Sequence, residues 1–165
     1  LAVARVEPVA GDGIAVGRTF AQHPALNAAR TPRAAFINRV STLQPRHREM
    51  LILRIGWNCR SEYEWAQHVG SVGKAREKGL DPLKIAEGSL ASGWSPLERA
   101  LLKAADELWS DSVISDNTWT GIGQNLDLTG RMNATITAAN YRMVSMALNS
   151  LGVQIDPGDE GFPKR

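Results

Sequence analysis

The chain has 165 residues, 43% of them hydrophobic and 22% charged, with a net charge of +2. That is the size of one domain, large enough to bury a core without help from a metal or a disulfide. A single cysteine, Cys59, excludes an internal disulfide, a CxxC redox pair and a thiolate-rich zinc site, and the even spread of 19 Lys and Arg against 17 Asp and Glu excludes a nucleic-acid footprint. The densest basic stretch, Arg46, His47 and Arg48, is answered at once by Glu49 and reads as a solvated or interface-facing first helical turn in preference to a phosphate site. The most apolar stretch, residues 50–55, is far short of the roughly 20 residues of a membrane span. A cytoplasmic, reducing location is the default expectation, although Leu1 in place of a methionine leaves open a targeting segment ahead of it.

In chain order, the pattern predicts a weak helix over residues 17–30 and another over 32–41 that begins at Pro32 and carries Phe36, Ile37 and Val40 on one side. A third helix starts within 42–49, with Pro45 in its first turn and Met50-Leu51-Ile52-Leu53 following, and is expected to be buried on most sides. The pattern breaks at 58–60. Ser61-Glu62-Tyr63-Glu64 then reads as a capping box opening a helix that runs to Lys78. Gly79 suits a left-handed helix end, Asp81-Pro82 starts a short helix over 82–87, and 88–93 is a loop. Ser95-Pro96-Leu97-Glu98 is a second capping box, leading a helix to about Ser110 with Leu97, Leu101, Ala104, Ala105 and Leu108 as its apolar stripe. Ser115 caps a helix bearing Trp119, Ile122 and Leu126, and Thr129 caps a long last helix ending at Leu151-Gly152. The expectation is an all-α fold of seven or eight helices in one domain over residues 1–156. A polar tail, 157–165, is read as a mobile end or an arm on a neighbouring subunit.

Chemistry concentrates on one helix pair. Glu49 lies in the first turns of the third helix, and Glu62, Glu64 and His68 in the first turns of the next, so the short break makes the two helices antiparallel neighbours. At a rise of ~1.5 Å per residue, Glu49 lies about 15 Å from the break along one axis and His68 about 10 Å along the other, which lets them face each other within about a turn. Ser61, Glu64 and His68 share one face. A carboxylate beside an imidazole in apolar surroundings tunes proton exchange near neutral pH. The bland alternatives are a capping box for Ser61 and Glu64, a satisfied helix histidine for His68, and a helix-dipole role for Glu49. Trp57 and Trp65 flank this column as possible pocket walls, and Arg54 is a candidate for a substrate carboxylate or for a structural ion pair.

The spacing Glu49, eleven residues, Ser61, two residues, Glu64, three residues, His68 resembles the motif of the AhpD-like superfamily, which contains alkylhydroperoxidases and carboxymuconolactone decarboxylases. The surrounding residues, from Arg48-Glu49 with Leu51-Ile52-Leu53-Arg54 to Trp94-Ser95-Pro96-Leu97-Glu98 and Asn149-Ser150-Leu151-Gly152-Val153, resemble its carboxymuconolactone decarboxylase subgroup over about residues 18–156. The resemblance implies an all-α fold assembled as a homo-oligomer, trimer or hexamer, with a pocket beside the motif helices and functional roles for Glu49 and His68. The peroxidase form carries cysteines where this chain has Ser61 and Glu64, which removes the thiolate and its resolving partner.

What remains is a proton-handling site for a small-molecule substrate, with His68, Glu64, Glu49 and Ser61 as catalytic candidates and Trp57, Trp65, Arg54 and Glu62 as substrate-binding ones. Decarboxylation, isomerisation or lactone chemistry of this kind calls for no metal or organic cofactor, nucleic acid or membrane. Two other readings stay open here: a metal site built from Glu64, His68 and Glu49 or Glu62, and a non-catalytic oligomeric binding protein.

Overall fold

The computed structural model describes residues 4–163, and these form eight α-helices and no strand. They are α1 (Ala15–Phe20), α2 (Pro24–Ala35), α3 (Pro45–Asn58), α4 (Glu62–Val69), α5 (Pro82–Glu87), α6 (Pro96–Ser110), α7 (Asp116–Gly123) and α8 (Leu128–Leu151). The apolar run inside α3 makes it the central element. Leu51, Ile52 and Ile55 pack with Leu101, Leu108, Ile122 and Tyr141 of α6, α7 and α8. Met50 and Leu53 turn the other way, onto Trp65, Val69, Ile85, Trp94 and Leu102. A helix with apolar side chains on opposite faces is covered on both, and Glu49, near its start, is buried with them.

Most boundaries follow local chemistry. Pro45 occupies the first turn of α3, Asp81 caps α5 through the Leu83 N–H at 2.9 Å, and Ser95 and Glu98 form a complete capping box at α6. The last helix is capped two residues earlier than expected: Asp127, not Thr129, accepts the Gly130 N–H at 2.7 Å. Gly79 and Gly152 end their segments at φ +72° and +69°, where only glycine is unstrained.

Three expectations are corrected. Pro32 does not begin a helix but lies inside α2, which starts at Pro24 under a His23 cap; beyond Pro32 the winding loosens into a π turn, Phe36–Val40. The helix expected to reach Lys78 stops at Val69, because Gly70 and Gly73 admit a sharp reversal, and only a 3-10 turn, Arg76–Lys78, follows. The tail, up to Pro163, folds back on its own chain. Asp156 accepts hydrogen bonds from the Ala15 N–H (2.9 Å), the Tyr63 hydroxyl (3.0 Å) and the Gln67 amide (3.0 Å). Gln67 also donates to Asp159 at 2.5 Å, and Phe162 packs against Trp57 and Trp65 at ring separations of 5.2 and 5.6 Å. The composition of the tail is polar, but this carboxylate clasp and one aromatic ring anchor it. Leu1 and residues 164–165 lie outside the described residues.

Asp156 thus joins α1, α4 and the tail through one carboxylate. Replacing it with alanine leaves the Tyr63 hydroxyl and the Ala15 N–H without an acceptor, and Asp156→Ala is expected to lower stability by about 2 kcal/mol. The urea midpoint reads the loss, and faster proteolysis around residues 10–20 accompanies it.

Candidate active site

The chain reverses between α3 and α4 within three residues. Arg60 takes the left-handed conformation at φ +54°, and the Asn149 side chain donates to the Cys59 carbonyl at 2.8 Å, pinning the turn to α8. The reversal sets α4 against α3 so that Glu49, Glu64 and His68 meet. They are 2%, 5% and 4% exposed, which places all three out of bulk water.

His68 is gripped from both sides. Its Nδ1 lies 2.6 Å from Glu49 Oε2, and its Nε2 lies 2.9 Å from Glu64 Oε1. Only the imidazolium donates from both nitrogens. Burial works against that charge, but the Glu64 carboxylate and the hydrogen bonds to Glu49 and Glu64 outweigh it, and the His68 pKa is pushed up to about 9. Beyond His68, the second oxygen of Glu49 faces Arg48 Nε at 3.6 Å and Lys78 Nζ at 3.7 Å. The Tyr141 ring stands edge-on to the imidazole at 5.2 Å. Burial and the nearby Glu64 charge raise the Tyr141 pKa, so its phenol stays protonated, and its oxygen accepts a long bond of 3.4 Å from the Asn38 amide.

One end of this chain reaches a cavity of about 250 Å³, lined by Glu64, His68, Tyr141, Arg30, Asn38 and Gln67 together with apolar side chains of α1 and α8. Two larger surface depressions, of about 430 and 480 Å³, lie beside the start of α4 and on the outer face of α8, and neither includes a member of the trio.

Of the residues singled out from the sequence, Glu49, Glu64 and His68 converge and the others lie elsewhere. Ser61 makes no cap bond. Glu64, its expected partner, is turned toward His68, and the fully buried Ser61 hydroxyl has no hydrogen-bond partner among the described residues and is absent from the cavity lining. Trp57 and Trp65 stack with Phe162 rather than walling the cavity. Arg54 is committed to structure, with Nε 2.5 Å from Asp106 and a terminal nitrogen on the Ile85 and Ala86 carbonyls. Glu62 accepts the Phe162 N–H at 3.2 Å. Tyr141, Asn38 and Arg30 escaped the sequence reading. A signal for Tyr141 was present, since Asn133, Thr137, Tyr141 and Ser145 recur every four residues and all are buried on α8. Arg30 had none, being one of many arginines.

The trio forms one continuous buried chain of contacts, Glu49 to His68 to Glu64. Among the described residues no group of three or more His, Cys, Asp or Glu is arranged to hold a metal ion, and both ring nitrogens of His68 already face carboxylates. Cys59 is half-buried at the end of α3, packed against the core, and burial raises its thiol pKa. It is therefore a thiol rather than a reactive thiolate at neutral pH.

No protein-family model matches the chain, and no curated protein matches it in sequence. Solved structures do match its fold. A crystal structure of an alkylhydroperoxidase AhpD core, an uncharacterized peroxidase-related protein from Ralstonia eutropha JMP134, superimposes with a TM-score of 0.76 at 17% identity, covering 87% of this chain and 77% of that one. A protein of unknown function from Agrobacterium tumefaciens, provisionally assigned as an antioxidant defence protein AhpD, gives 0.75 at 15% identity, covering 83% and 94%. The chain has the AhpD-like fold.

Two outcomes follow from the geometry. His68 holds its proton to about pH 9 when folded, against 6.5 ordinarily, so its contribution to stability is full below about pH 6.5 and is lost as pH rises through 9. Denaturation midpoints are expected to fall between pH 7 and 10 in the native chain, and to fall less steeply in His68→Gln. A Cβ built at Gly73 would lie 2.6 Å from Glu49 Oε2 and closer still to the His68 carbonyl. Gly73→Ala is expected to cost about 1–3 kcal/mol, measured by urea denaturation, while displacing the Glu49 carboxylate from His68.

Proposed function

We propose that this protein is a carboxymuconolactone decarboxylase-like enzyme that moves protons on a small organic acid or ketone without a cofactor, by decarboxylation, isomerisation or lactone chemistry. The observation that carries this reading is the buried Glu49–His68–Glu64 chain, open to a cavity at Glu64 and His68 and backed by Arg48 and Lys78 at Glu49. Glu64 exchanges the proton with substrate, His68 passes it along or holds the balancing charge, and Glu49 fixes the imidazole and keeps it protonated. The Tyr141 hydroxyl takes the part expected of Ser61, donating to a substrate oxygen as charge builds there. Because the reacting groups are carboxylates and an imidazole, the electrons stay within the substrate.

Disulfide-cycling peroxide reduction has no support in this chain. Ser61 and Glu64 stand where the peroxidase form has its two thiols, and Cys59 has no second sulfur to pair with. We further read the protein as a homo-oligomer, trimer or hexamer, and the exposed side chains of Met132, Ile136, Met143 and Met146 along α8 support this as the contact face. No helix among the described residues is long and apolar enough to cross a membrane.

The test is a panel of lactone and keto acids incubated in D2O and followed by proton NMR, with carbon dioxide release measured alongside. Glu64→Gln and His68→Gln are expected to reduce exchange or turnover by about 10²-fold or more. Activity of the native enzyme is expected to decline as pH rises through about 9, where His68 loses its proton. Full activity in both variants would remove the relay.

A further inference from the structure

We propose that Arg30 is the anion receptor of the cavity and that the substrate is a small monocarboxylate, whose carboxylate sits on Arg30 while a different carbon faces Glu64. The inference rests on the proton-relay reading and narrows it.

Arg30 lies on α2 and lines the same cavity as Glu64, His68 and Tyr141. Two contacts orient its guanidinium: Nε donates to Asn27 Oδ1 at 3.0 Å, and the group stacks over the Phe20 ring at 4.5 Å. Among the described residues no carboxylate lies within ion-pair distance of it. In contrast, Arg46, Arg48, Arg54 and Arg76 each face an acidic side chain. Burial lowers the Arg30 pKa, as expected of a cation partly withdrawn from water without a counter-charge. A guanidinium held in plane by a stacking ring and one hydrogen bond, with its terminal nitrogens uncommitted, is set for a bidentate carboxylate.

The charge count selects a monoanion. Of the charged groups lining the cavity, Glu64 and His68 answer each other at 2.9 Å, which leaves Arg30 for a single negative charge on the ligand. A space of about 250 Å³ admits only a small molecule.

This placement also selects among reactions. Losing carbon dioxide draws charge away from the carboxylate, whereas Arg30 stabilises that charge most before it moves, so the ion pair raises the barrier to decarboxylating the anchored group. A proton shift elsewhere in the molecule carries no such penalty. In a keto or lactone acid, the C–H bond beside the carbonyl breaks and its proton passes to the Glu64 carboxylate. The electron pair forms the carbon–carbon double bond of an enolate, whose oxygen is stabilised by the Tyr141 hydroxyl. The proton returns to the same or a conjugated carbon, so neither an oxidant nor a reductant is consumed.

The probe is levulinate, a keto monocarboxylate, compared with its neutral methyl ester; binding is read by ligand-observed NMR and proton exchange by loss of signal in D2O. Arg30→Met is expected to weaken levulinate binding at least tenfold and to raise KM for exchange with kcat little changed, while methyl levulinate binds the native protein and the variant equally. Arg30→Lys falls between, and Arg33→Met, at an exposed site on the same helix, behaves as native. The inference is overturned if the native protein does not bind levulinate, if acid and ester bind equally, or if Arg30→Met binds levulinate as the native protein does. The binding measurements need no turnover, so they judge Arg30 separately from the relay, which stands or falls on exchange in His68→Gln.

Discussion

Burying Glu49, His68 and Glu64 together sets conditions that the rest of the chain has to meet. A charge moved alone into a protein interior costs several kcal/mol even after relaxation, and one partner left unpaired would destabilise the fold by a similar amount. The arrangement holds because each charge has a neighbour at hydrogen-bond distance and because the order of signs alternates from Glu64 through His68 to Glu49, and on to Arg48 and Lys78. That alternation requires two helices in strict register. The left-handed Arg60, the pinned Cys59 carbonyl and the absence of a side chain at Gly73 are the local means of keeping it. The apolar faces of α3 supply the water-free surroundings in which these attractions are strong.

Much of this was legible before any coordinates. The spacing of Glu49, Glu64 and His68 across a short helix break is a geometric statement, since helical rise and antiparallel packing leave little choice about who meets whom. The all-α architecture follows as directly from the caps at Asp81, Ser95 and Ser115 and from the stripe on α6. What escaped is competition between partners that local patterns treat one at a time. Ser61 and Glu64 have the letters of a capping box, yet the imidazole one turn on attracts the Glu64 carboxylate more strongly than a backbone N–H does. Pro32 has the letter of a helix start, yet His23 and Pro24 had already begun one.

Charge type was legible and charge location was not. For Arg54, on the same helix as Glu49, the sequence left two roles open, a receptor for an organic anion and a structural ion pair. The structure ties Arg54 to Asp106 and to two carbonyls near the end of α5, where it joins elements rather than receiving a ligand. The cation in the cavity comes from α2, a helix with no buried residue of its own. Sequence separation between Arg30 and His68 holds no clue to this, because the approach of α2 depends on how the π turn and α1 place it. Patterns that repeat along one helix are readable from sequence, whereas partners drawn from distant helices are not.

Gln67, which lines the cavity, is held by Asp156 and Asp159, and Tyr63, also on the lining, shares Asp156 with the first helix. Residues of the first helix and of the segment around 156–159 therefore back one wall of a cavity whose charged groups, Glu64 and His68, come from α4. A change at Asp156 or Asp159 reaches the cavity lining through Tyr63 and Gln67 without touching the contacts among Glu49, His68 and Glu64.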